Sequence, residues 1–206
     1  MLQDRNQTEY AEAHNIQASL PRTGHTLTFH GRDPNQLVLV TSKGTQHVIT
    51  TPVASAIRNL WEEAHKSGSR YLCRGLIERV AGMSVCPTES SDIVRGPYDP
   101  IGSDLREPGS ITRLSPMSVI QIFGSYTTLG RDEADRGVIH YALVLAVDDE
   151  TVWVLEKQGA GPLMIATLAD SINRYSAELT GAEYQLYVCS LDEFRGGVSD
   201  SQMLEW

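Results

Sequence analysis

The sequence predicts an α+β fold in which N-terminal helices pack on a central antiparallel sheet, with a β-hairpin extension ahead of them. Three observations carry this expectation. Two consecutive segments, 53–64 and 72–80, place their apolar residues at helical spacing. Three apolar segments, 118–123, 138–147 and 151–156, then follow one another, and only Asp148, Asp149 and Glu150 separate the last two. A connection that short forces antiparallel pairing, and helices gathered ahead of a run of strands form the α+β pattern. With 206 residues and 41% hydrophobic composition, the chain can bury one sizeable core. The expected organisation is a flexible or partly helical arm over 1–24, a single domain over 25–195 whose first part, 25–51, is the hairpin extension, and a tail over 196–206.

Each element has a local cause. HTLTFH alternates, and LVLVT and TQHVITT flank a turn near Lys43 and Gly44. Thr50, Thr51 and Pro52 supply a cap and an early proline for a helix carrying Val53, Ile57, Leu60, Trp61 and Ala64 on one stripe, ended by Gly68. A second helix starts close to Ser69, buries Leu72, Cys73, Leu76, Ile77 and Val80, and stops at Gly82. Between Cys86 and Pro116 the prolines at 87, 97, 100, 108 and 116 and the lack of any period predict a long surface loop lining a cleft. After the three strands, LADSINRYSAEL reads as a helix stopped by Gly181, and YQLYVCSL as a strand.

Charge narrows the partners. The net charge is −9 with only 17 Lys and Arg, which opposes the clustered cation binding that nucleic acid requires. No apolar run is long enough to cross a bilayer, and the opening MLQDRNQTEYAEAHNIQ is not a basic segment followed by an apolar one, so synthesis and folding in a cytoplasm are expected. LPRTG, at 20–24, spells a sortase signal but lacks the apolar segment and basic tail that would have to follow it. Cys73, Cys86 and Cys189 form neither a disulfide framework nor a zinc spacing. No two histidines fall four apart, so neither metal nor cofactor is expected.

The reactive candidates come from position. A cysteine near a helix start can be held as thiolate by the helix dipole and a neighbouring imidazole, which singles out Cys73. Cys86, before a proline in a loop, is a rival nucleophile, and Cys189 lies in an apolar strand as core. Among the histidines, His140 alone opens a long apolar strand. A tight hairpin centred near Asp149 puts His140 opposite residue 158, and Glu156 and Gln158 share a face of that strand. Either can accept a hydrogen bond from the imidazole and fix its tautomer, completing a nucleophile, base and orienter set. Each residue alone also reads as structural: Cys73 as packing, His140 as bonded to a backbone carbonyl, Glu156 as a solvated charge. The three in this order have no packing reason.

From Tyr71 to Gly161 the chain resembles the NlpC-type peptidoglycan peptidases and the related CHAP amidohydrolases of the papain-like class. Cys73-Arg74-Gly75-Leu76 is similar to the family's cysteine, any residue, glycine, apolar helix start, with Leu72 where the family carries an acid or amide. Leu114-Ser115-Pro116-Met117-Ser118 resembles the turn into its first core strand, without that turn's glycine and aspartate. Ile139-His140-Tyr141-Ala142-Leu143-Val144 is similar to its histidine strand, and Glu156-Lys157-Gln158 to the CHAP acid, residue, amide pattern. The resemblance implies a papain-like fold, Cys73 as nucleophile, His140 as base and later acid, and Glu156 or Gln158 as orienter. Tyr71 is either an oxyanion-hole donor or a residue packing the helix entry.

The function this implies is a cysteine-dependent amide hydrolase, a thiol protease or amidase working through an acyl-enzyme. Its substrate would be a peptide, a peptidoglycan stem peptide or a protein. Deamidation or acyl transfer by the same residues is an alternative, and a non-catalytic interaction module on the same scaffold is another. An exported effector or toxin, travelling without a signal peptide and met by an immunity or chaperone protein, reconciles a cell-wall substrate with the polar N-terminus.

Overall fold

A computed structural model describes residues 23–29, 33–67, 73–83, 100–106, 114–126, 135–148, 151–157, 162–178 and 184–203. Most of the 1–24 arm therefore lies outside the described residues. The chain opens with three antiparallel strands, β1 (Thr26–Phe29), β2 (Gln36–Val40) and β3 (Gln46–Thr50), in the order β1-β2-β3. The turn after β2 closes where the alternation predicts, with the Thr41 N–H donating to the Thr45 carbonyl and the Gly44 N–H to that of Thr41, both at 2.9 Å. Leu27, Leu37, Leu39 and Ile49 are buried and join the main core.

Helix α1 (Ala54–Ser67) begins behind Thr51, whose carbonyl accepts the Ala54 N–H at 3.1 Å. Its stripe of Ile57 and Leu60, flanked by Val53, Trp61 and Ala64, packs into the same core. Helix α2 (Cys73–Val80) is short and tightly finished. The Met83 N–H bonds the Glu78 carbonyl at 2.8 Å and the Gly82 N–H that of Arg79 at 3.1 Å, with Gly82 at φ +71°. This is the Schellman closure that a glycine after the last apolar residue predicts.

The remaining strands, β4 (Ser103–Asp104), β5 (Val119–Tyr126), β6 (Asp135–Val147), β7 (Val152–Lys157), β8 (Leu163–Thr167) and β9 (Gln185–Cys189), form one sheet in the order β4-β9-β5-β6-β7-β8. Every pair is antiparallel. Tyr141, Leu143, Leu145, Leu155 and Ile165 join α1, α2 and the small sheet in one cluster, while Ala142, Val144, Val154 and Ala166 form a second. Period-2 alternation thus gives the large sheet two covered faces. Helix α3 (Leu168–Glu178) covers the second, through Leu168.

Three features differ from the sequence expectation. Strand β8 was not legible, because its Leu163, Met164, Ile165 and Ala166 are all buried and leave no alternation to read. The 86–116 loop is not uniformly a loop: β4 adds to the sheet edge, where the Gln121 side chain holds Ile101 like a strand neighbour, accepting from its N–H at 3.0 Å and donating to its carbonyl at 2.6 Å. Gly102 follows at φ +94°, and a Cβ there would collide with the Val188 carbonyl. Finally, the 196–206 tail is helical through Met203, as part of α4 (Leu191–Met203). Ser190 and Glu193 close its start as a reciprocal capping box, at 3.1 and 2.7 Å, and Phe194 is fully buried against Tyr141. Among the described residues no helix is long and apolar enough to cross a membrane.

Candidate functional site

The site lies where the start of α2, the first half of β6 and the end of β7 meet. Ala142 pairs with Glu156 across β6 and β7, so His140, two residues further out on the same side, is a diagonal neighbour of Glu156 within side-chain reach. The hairpin centred near Asp149 therefore holds, and Glu156 takes up the histidine. His140 Nε2 and Glu156 Oε2 are 2.9 Å apart, and each side chain is 1% exposed. A bulge helps aim the ring: Ile122 pairs with His140 but Phe123 with Val138, leaving Ile139 as an extra residue. That insertion explains why Val138 and Tyr141 fall in the same cluster despite the period of two.

Cys73 is the first residue of α2, half-buried, and hydrogen-bonded to His140. With Nε2 engaged by Glu156, Nδ1 is the ring nitrogen left for sulfur. Burial pushes the Cys73 thiol up, but the hydrogen bond and charge of His140, with the backbone N–H groups of Tyr141 and Arg74, outweigh it, and the net shift is downward. For His140, burial favours the neutral ring, yet the hydrogen bonds and charges of Cys73 and Glu156 win and raise it to about 9. Both shifts favour the charged pair, thiolate beside imidazolium, over the neutral one.

Glu156 has partners that no sequence pattern indicated. Ser171 Oγ donates to Oε2 at 2.5 Å, and Arg174 Nη2 donates to Oε1. Both come from α3, three residues apart on one face. Burial alone would raise the Glu156 carboxyl, but His140 above all, then Arg174 and Ser171, hold it below the usual range. The neighbouring Lys157 is also fully buried; burial pushes it down and the Cys73 charge offsets part of that, leaving it at about 8. Ser171 and Arg174 stand at helical spacing in LADSINRYSAEL, the only signal available in sequence, and it did not reveal which strand they meet.

Cys73, His140 and Glu156 are therefore brought together, while Tyr71 and Gln158 lie outside the described residues, as does the rival Cys86. Cys189 is core, 2% exposed, and burial with the Glu193 charge pushes its thiol up to about 12. Among the described residues no three His, Cys, Asp or Glu side chains gather as metal ligands. No family model, curated protein or solved structure matches this chain.

Proposed function

We propose that the protein is a cysteine-dependent amide hydrolase of papain-like architecture, with Cys73 as nucleophile, His140 as base and acid, and Glu156 as orienter. The observation that carries this reading is the buried hydrogen-bonded run from Cys73 through His140 to Glu156. Its two ring nitrogens join a half-buried thiol at a helix start to a buried carboxylate, the arrangement by which a base activates a nucleophile and is itself oriented. In the reaction, the Cys73 thiolate adds to an amide carbonyl carbon. Its oxygen takes the charge, facing the backbone N–H groups of the first turn of α2. The C–N bond then breaks as His140 passes its proton to the departing amine. His140, now neutral, takes a proton from water attacking the thioester, and the acid leaves with the thiolate restored. Throughout, Glu156 holds the tautomer and stabilises the imidazolium.

Peptides, including peptidoglycan stem peptides, are the substrate class that the resemblance of Cys73-Arg74-Gly75-Leu76 and Glu156-Lys157-Gln158 favours, and an exported effector or toxin is the setting that fits such a substrate. Incubation with candidate peptides and proteins, read by intact mass, tests the reaction: a lost fragment is expected, a gain of about 1 Da marks deamidation and a larger gain marks acyl transfer. Any of these changes must vanish with Cys73→Ala. Turnover that survives Cys73→Ala contradicts the assignment of the nucleophile.

A further inference from the structure

The carboxylate that orients His140 is itself gripped from the opposite helix. Glu156 is 1% exposed and receives His140 and Ser171 on Oε2 and Arg174 on Oε1. Arg174 spends one Nη on this contact, while its Nε is buried and has no hydrogen-bond partner among the described residues. We infer that Ser171 and Arg174 are positioning residues, which hold the Glu156 carboxylate against His140 so that helix α3 governs how readily the Cys73 sulfur reacts. This rests on the proposed roles of Cys73 and His140.

The direction of the effect follows from charge. The buried array alternates in sign from thiolate to imidazolium to carboxylate to guanidinium. Lys157 of β7 adds a second positive charge near the sulfur. The Arg74–Glu78 ion pair of α2, at 2.8 Å, is neutral as a unit. Asp170, the charge at the start of α3, is engaged by the Thr167 hydroxyl at 2.7 Å and acts on His25. Removing the Arg174 cation therefore disfavours both buried anions, the carboxylate directly and the thiolate through His140. Removing the Ser171 hydroxyl frees Oε2 to turn away from the ring and has the smaller effect.

The test is the rate of Cys73 alkylation by iodoacetamide across pH, assigned to Cys73 by peptide mapping, in the full-length wild type, Arg174→Gln, Arg174→Lys and Ser171→Ala. In Arg174→Gln the acid limb should move up by about one pH unit, an about tenfold loss of reactive thiolate near pH 6. Ser171→Ala should lose about threefold, and Arg174→Lys should recover part of the Arg174→Gln shift. Cys189 is the folding control, since it becomes labelled only in a variant that has opened; if Arg174→Gln opens, Ser171→Ala decides. Unchanged acid limbs in folded Arg174→Gln and Ser171→Ala overturn the positioning role while leaving the nucleophile in place. An ordinary acid limb for Cys73 already in the wild type overturns the underlying reading instead.

Discussion

Cys73 and Cys189 pack against the same apolar cluster, yet their surroundings move their thiols in opposite directions. Around Cys189 the buried polar groups are neutral: Gln121 lies 3.5 Å from the sulfur and spends its amide on the Ile101 backbone, and the nearest titrating influence is the Glu193 carboxylate. Around Cys73 they are charged and alternate in sign. Burial by itself makes a thiol inert, and the Cys189 end displays that outcome. At the Cys73 end, burial strengthens each attraction in the array, so the same low dielectric favours an ion pair. The difference therefore lies in what was buried alongside each sulfur.

The comparison breaks most completely if His140 is removed. In His140→Ala only the backbone N–H groups of Tyr141 and Arg74 are left to offset burial at Cys73, and its alkylation at about pH 6 should fall to or below that of an ordinary thiol, with proposed turnover down about 10³-fold. The next largest effect is on stability. Glu156→Ala strands His140 and Arg174 without their counter-charge and should cost about 3 kcal/mol, measured by urea unfolding. Glu156→Gln keeps the shape and sharpens the point. The stability carried by the depressed Glu156 carboxyl is present above the ordinary carboxylate range and is lost as pH falls through its lowered value. That carried by the raised His140 is present below the ordinary histidine range and is lost as pH rises through about 9. Urea midpoints plotted against pH should thus flatten on the acid side in Glu156→Gln. The smallest effect belongs to the neutral end: Gln121→Leu leaves the Ile101 N–H and carbonyl unpaired, should cost about 1 kcal/mol or somewhat more, and should leave Cys73 alkylation unaltered.

What could be read in advance divides along the same line. That His140 would meet the end of the next strand, at Glu156 or Gln158, was legible, because a short turn at 148–150 fixes a register and a register fixes the candidate neighbours; which of the two was not. Helices α1 and α2 were legible from stripe and stop, Gly82 above all. The sequence hid whatever depends on tertiary docking. Ser171 and Arg174 reach Glu156 only because α3 lies on that face of the sheet. Strand β8 is buried on both faces and carries no period, and α4 hides behind Gly196, Gly197 and a polar surface, although its Ser190-Leu191-Asp192-Glu193 start spells a capping box.

The protonation state of His140 tests the thiolate–imidazolium pair most directly. In the ¹⁵N-labelled wild type near neutral pH, both ring nitrogens of His140 should carry protons, and the ring should lose one only as pH rises toward about 9. Cys73→Ala, which removes the first of its two charged partners, should bring that loss to lower pH. A neutral His140 ring at pH 7 in the wild type, or a titration unmoved by Cys73→Ala, would contradict the pairing on which the proposed chemistry depends.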